Sequence, residues 1–189
     1  MTRINSNASG SRAKATKAGR TGPSARRLVQ RASKLALKSD RTSLDRAVAL
    51  LREAAHQGSA EADYAIGTWY GFGKHLPQDD QKAVKHFKRA AKERYPAALF
   101  NLAYSYEVGR GLSQDPARAF TLYVEAARAG DADAVSEVYR CLFWGIGVIR
   151  NRALAKLIQE LSDPAFTRKR RLPAGQKRTS SILRRDREN

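Results

Sequence analysis

The chain holds one cysteine, Cys141, in 189 residues. No internal disulfide can form, no cysteine pair can hold a structural zinc, and a reducing, cytoplasmic setting is the simplest expectation. No run of about 18 apolar residues occurs, so no transmembrane helix is expected. Residues 1–22 lack the apolar stretch of a secretory signal. Acids are missing altogether from residues 1–39, which carry ten Lys and Arg. Outside residue 166 neither end of the chain has an aromatic, so stacking on single-stranded bases is not indicated there.

What is present is an uneven distribution of charge. The formal net charge is +18, yet residues 40–163 hold 17 basic against 16 acidic groups. A near-neutral block lies between two cationic arms. The expected division is a disordered basic arm over 1–23, a folded unit over 24–163 and a disordered basic tail over 164–189. The tail concentrates Arg168, Lys169, Arg170, Arg171, Lys177 and Arg178. Such clusters hold polyanions by releasing counterions, with little sequence information. The same arms fit targeting signals, which makes a secreted effector or an organelle- or nucleus-targeted protein the alternative reading.

Self-comparison decides the fold of the middle. Ala54-Ala55 recurs as Ala90-Ala91 and Ala126-Ala127; Ala62, Ala98 and Ala134 keep step, as do Gly73, Gly109 and Gly145. Bulky positions obey the same 36-residue ruler: Leu51, Phe87 and Tyr123; Ile66, Leu102 and Val138. Within a period, Ala62, Ile66 and Tyr70 form one helical stripe, and Ala83, Val84, Phe87, Ala90 and Ala91 form another. Asp79, Asp115 and Asn151 read as helix N-caps, with Pro116 and Pro96 in first turns. Gly58 and Gly130 end second helices, and Arg94 takes that place in the middle copy, so that turn is expected either to close differently or to carry mild strain. The fold class is therefore all-α: a short solenoid of about three helix-turn-helix repeats with a capping helix at each end. Residues 24–38 supply the first cap, packing on 43–56. The second, 152–161, is expected to close the stack with Leu154, Leu157, Ile158 and Leu161.

The string Ala60-Glu61-Ala62-x-Tyr64-x-Ile66-Gly67-x-x-Tyr70-x-x-Gly73, followed by Leu76-Pro77-Gln78-Asp79, Lys82-Ala83 and Ala90-Ala91, resembles the Sel1-like repeat, a relative of the tetratricopeptide repeat. A second copy runs from Ala98 through Asn101-Leu102-Ala103 and Tyr106 to Gly109-x-Gly111-Leu112. A third, Ala134 to Val148, departs from the pattern at Tyr139 and Leu142. The resemblance implies an α-solenoid that binds partner proteins, usually as an adaptor or scaffold; the residues themselves nominate no catalytic set, and no enzymatic activity is expected.

In such arrays the first helix of each pair lines the inner face. Its variable positions give the candidate groove: Thr68, Phe72, Tyr104, Glu107, Arg140 and Trp144. Tyr64 and Phe100 track the repeat and read as packing. Trp69 reads as packing into the next repeat or as an exposed anchor. Searches for chemistry return little. Ser11 to Lys14 matches a serine-lysine signature by chance, without a folded site around it. Gly71-x-Gly73 and Gly109-x-Gly111 are turn glycines rather than a dinucleotide loop. His56, His75 and His86 share no metal-ligand spacing, and Cys141 reads as a buried small hydrophobe. No cofactor, metal or small-molecule substrate is expected.

Overall fold

A computed structural model describes residues 22–162 apart from residue 39. The described residues form eight helices: α1 (Pro23–Ala36), α2 (Arg41–His56), α3 (Ala60–Phe72), α4 (Asp80–Lys92), α5 (Pro96–Val108), α6 (Pro116–Arg128), α7 (Ala132–Trp144) and α8 (Arg152–Ser162). Ser11 to Lys14 lie outside the described residues, as do Arg168, Lys169, Arg170, Arg171, Lys177 and Arg178.

The helices begin where a short polar side chain can take an orphan amide. Asp40, Ser59, Asp79, Asp115 and Asp131 accept from the backbone N–H three residues on, and Asn151 does the same for Leu154 at 2.9 Å. Each such cap contributes about 1 kcal/mol. Second helices end in left-handed turns at Gly58 (φ +82°) and Gly130 (φ +101°). Arg94 closes the same left-handed turn at φ +54°, a conformation that carries a cost for a non-glycine residue.

Successive helices pack as neighbours, α1 on α2, α3 on α4, α5 on α6 and α7 on α8. The two terminal helices therefore cap the array as members of helix pairs. Ala25, Val29 and Ala32 of α1 meet Ala47, Leu51 and Ala54 of α2. The periodic alanines have a steric role: Ala54, Ala62, Ala90, Ala98, Ala126 and Ala134 are fully buried, which lets backbones cross closely. Leu51, Phe87 and Tyr123 fill the space beside them, each contributing about 1.5–3 kcal/mol by burial.

Neighbouring pairs are joined through the turn that follows each first helix. A Cβ on Gly111 would fall under 3.0 Å from the Asp80 carbonyl group, and one on Gly147 under 3.0 Å from that of Pro116. Arg110, next to the first of these glycines, pairs with Asp80 at 2.7 Å and also donates to the Gly71 carbonyl. One period earlier His75 stands in the glycine's place. There the junction is built differently, with His75 edge-on to Trp69 at 4.6 Å.

Two expectations need correction. Trp69 is half-buried against the core shared by α1, α2 and α3, so it packs toward the preceding pair. The reason is that small residues of α1 leave room on that side. Leu154, Leu157 and Leu161 do not close the stack: α8 turns Ala155 inward and leaves these three exposed, with Ile158 partly buried.

Candidate protein-binding groove

α3 and α5 stand on either side of α4, and a groove opens between them. Its cavity of about 300 Å³ is lined by Gly71, Phe72, Asp80, Ala83, Phe87, Phe100, Asn101, Tyr104, Ser105 and Arg110. The repeat explains its parts. Phe87 and Ala83 are core positions of α4 and form the floor. Phe100 leans edge-on against Tyr123 at 5.4 Å, which fixes one wall. Arg110 and Asp80, already paired, close one end without presenting a free charge. Asn101 donates to the Ala97 carbonyl at 2.9 Å, and Ser105 to the Asn101 carbonyl at 2.9 Å. The Asn101 side-chain carbonyl keeps acceptor capacity for an incoming amide.

The candidates from sequence divide into four groups. Phe72 and Tyr104 line the cavity, Phe72 at 70% exposure. Phe72, Val108 and Trp144 occupy one repeat position at the ends of α3, α5 and α7. All three are exposed, Trp144 at 64%, and Val108 and Trp144 continue beyond the cavity the apolar position that Phe72 holds at its edge. Trp144 is steadied edge-on by Phe143 at 4.9 Å. Thr68 points back to its own helix, donating to the Ala65 carbonyl at 2.8 Å. Phe87, Asn101 and Arg110 line the cavity but were not among the candidates. Phe87 lies on a regular core position of the repeat, and the signal that could have found it is that a groove floor must be built from core; Asn101 stands where the other copies have Ala65 and Glu137.

Glu107 and Arg140 belong to a network that ties the third pair to the fourth. The Arg140 guanidinium donates to Glu107 at 2.7 Å and to Glu137 at 2.7 Å, and Tyr123 donates its hydroxyl to Glu107 at 2.9 Å. Burial works against the Arg140 charge, but hydrogen bonds to Glu107 and Glu137 outweigh it, so the guanidinium pKa is raised. Burial, then the Glu107 carboxylate, pushes the Tyr123 phenol up. These groups satisfy one another's hydrogen bonds, and with one guanidinium between two carboxylates the cluster keeps one net negative charge, outside the lining of the cavity.

A second polar cluster replaces what is apolar elsewhere. Asp63 is buried on α3, its carboxylate 2.9 Å from His86 Nδ1 and 3.4 Å from Arg89 Nε. The matching positions one repeat on are Leu99 and Leu122, which pack together. Among the described residues no hydroxyl or thiol is hydrogen-bonded to His86, and no group of three or more His, Cys, Asp or Glu could hold a metal. Burial pushes the Cys141 thiol up to about 11, the wrong direction for a nucleophile at neutral pH. No helix among the described residues is long and apolar enough to cross a membrane.

The Sel1 repeat model matches this chain four times, over residues 39–59, 60–95, 96–131 and 135–156. The chain belongs to the Sel1 repeat family. Two of these matches span whole helix pairs of 36 residues, and the outer two cover parts of the terminal pairs. Protein sel-1 homolog 2 of Rattus norvegicus is 41% identical over 83 residues, which is 43% of this chain and 12% of the relative. The DAP3-binding cell death enhancer 1 of the same species is 38% identical over 98 residues, 52% of this chain and 19% of that protein. The ERAD-associated E3 ubiquitin-protein ligase component HRD3B of Arabidopsis thaliana is 32% identical over 125 residues, 66% of this chain and 20% of the relative. This Sel1 repeat chain thus spans a fifth or less of these relatives. Among solved structures, the Escherichia coli protective antigen c5321 matches with a TM-score of 0.69 at 29% identity, over 73% of this chain and 30% of that one. A Sel1 repeat protein from Oxalobacter formigenes matches with a TM-score of 0.67 at 28% identity, over 74% and 40%. Sel1 repeats generally serve as protein-interaction scaffolds.

Proposed function

We propose that this Sel1 repeat protein is a non-enzymatic adaptor. Its groove between α3 and α5 takes a large apolar side chain from a partner segment, and the row Phe72, Val108 and Trp144 extends the contact. The observation that carries this reading is the cavity of about 300 Å³ walled by Phe72, Phe100 and Tyr104 over a Phe87 floor. Exposed aromatics grouped around a pocket are the composition of interface centres. The basic segments before and after the array add non-specific grip on nucleic acid or another polyanion, because their charge is dense and Phe166 is their one aromatic. Selection of displayed peptides against the full chain tests the groove. Enriched peptides carry a large apolar anchor, and their binding weakens at least tenfold in Phe72→Ala and Tyr104→Ala, with little change in Lys92→Ala on the opposite face. Peptides that bind all three variants equally would refute the assignment.

A further inference from the structure

The near-neutral total of residues 40–163 hides a separation of charge between faces. α4 carries Lys82, Lys85, Lys88, Arg89 and Lys92 in 13 residues. Lys85, Lys88 and Lys92 fall at i, i+3 and i+7, one exposed ridge about 10 Å long. Among the described residues none of the three is ion-paired to a carboxylate; Lys88 lies over the Tyr106 ring at 5.8 Å. At flanking positions of the same face α2 adds Arg46 and Arg52, and α6 adds Arg118 and Arg128, all exposed. The countercharges on this face are fewer: Glu53, which accepts from Gln57, Glu125, Asp45, paired to Arg41, and Glu160, which takes the Lys88 position on α8.

The same register leads to an unusual feature of α8. The position held by Arg46, Lys82 and Arg118 becomes Leu154. That of Ala49, Lys85 and Thr121 becomes Leu157, and that of Glu53, Arg89 and Glu125 becomes Leu161. These leucines are 41–48% exposed and form a stripe at i, i+3 and i+7. The outer face of the second helices therefore passes from cationic at α4 to apolar at α8, away from the groove.

We propose that this outer face docks on an anionic lipid bilayer, with the α4 lysines against headgroups and the α8 leucines in the interfacial layer. Each feature has a place in that contact. Cations near an acidic leaflet contribute electrostatic attraction, and an apolar stripe adds burial at the headgroup boundary. A nucleic-acid backbone would use the lysine ridge but would leave the leucines idle, so the two features together favour a bilayer.

The test uses the full chain with vesicles of phosphatidylcholine alone, vesicles containing about one-fifth phosphatidylserine, and a DNA duplex. The protein is expected on the acidic vesicles and not on the neutral ones. Lys85→Gln/Lys88→Gln/Lys92→Gln weakens vesicle binding roughly a hundredfold, at about fivefold per cation, while the unchanged basic ends retain residual binding. Leu154→Gln/Leu157→Gln/Leu161→Gln weakens vesicle binding at least tenfold and leaves duplex binding unchanged. A polarity-sensitive dye on Leu157→Cys, with Cys141 buried, shifts to the blue with acidic vesicles and not with DNA. Either triple variant binding acidic vesicles like the unaltered chain would overturn the proposal. So would a dye that ignores vesicles or is already shifted without them, or leucine changes that alter the oligomeric state. Those last outcomes assign the stripe to another part of the chain or to a second copy.

Discussion

Replacing Gly147 with alanine separates two costs that the repeat combines at one residue. The backbone there has φ +67°, a region that costs an L-residue roughly 1–2 kcal/mol. Its Cβ would also meet the Pro116 carbonyl and the Ala117 nitrogen under 3.0 Å. Both are backbone atoms, so no side-chain rotation relieves the overlap, and the turn must lift from α6. Overpacking of this kind adds about 1–3 kcal/mol, giving about 2–5 kcal/mol in total. Gly58 is the control: φ is +82°, but nothing lies within 4 Å of the added carbon, so its alanine variant loses only the conformational part, about 1–2 kcal/mol. With a urea dependence of about 2 kcal/mol per molar, the midpoint falls by about 1–2.5 M for Gly147→Ala and about 0.5–1 M for Gly58→Ala. The two tryptophans locate the damage, since Trp144 ends α7 and Trp69 sits in α3. Urea melts followed through Trp144 in a Trp69→Phe background should shift more for Gly147→Ala than melts followed through Trp69 in a Trp144→Phe background, because repeats communicate through nearest neighbours. Equal midpoints for the two alanine variants, or equal shifts at both reporters, would refute the steric account of the inter-repeat joint.

Three further outcomes follow from the same geometry. Asp63→Leu alone should destabilise by about 2–4 kcal/mol by stripping His86 of its buried partner, whereas Asp63→Leu with His86→Leu, which copies Leu99 and Leu122, should recover most of it in urea melts. Cys141 should resist alkylation at pH 8 until urea unfolds the chain. Its thiol is raised from 9.0 to about 11 in the fold. The folded form therefore keeps a proton that the unfolded form releases, and the stabilisation, full below pH 9, declines between pH 9 and 11; Cys141→Ala should show a shallower alkaline decline. Removing both residues 1–21 and residues 164–189 should abolish most binding to duplex DNA at about 0.05 M salt, with either deletion alone giving a partial loss, and full-length binding should collapse by about 0.2 M in fluorescence anisotropy.

The helices were legible because each one is written three times: capping residue, alanine at the crossing and bulky partner recur in register, and the structure places Ala54, Ala90 and Ala126 alike. What departs from the repeat was harder to read. Leu154, Leu157 and Leu161 looked like a closing face because helical spacing gives a stripe but not its direction. Only alignment with Arg46, Lys82 and Arg118 shows that they point outward. Arg140 looked available for binding because its partners, Glu107 and Glu137, lie 33 and three residues away, and the longer separation is not visible in local pattern. The paired Asp63 and His86, 23 residues apart, were missed for the same reason. Net charge misled by averaging, since the lysines of α4 and the acids of the first helices cancel in sum while occupying different faces.

The adaptor reading rests on Tyr104 facing a partner, and site-specific photo-crosslinking tests this directly. A photoreactive phenylalanine analogue at Tyr104, in the full chain in its native cells, should give a discrete protein adduct that Phe72→Ala suppresses, and the same analogue at Lys92 should not give that adduct. The account is contradicted if Tyr104 yields no protein adduct, or if Tyr104 and Lys92 yield the same one.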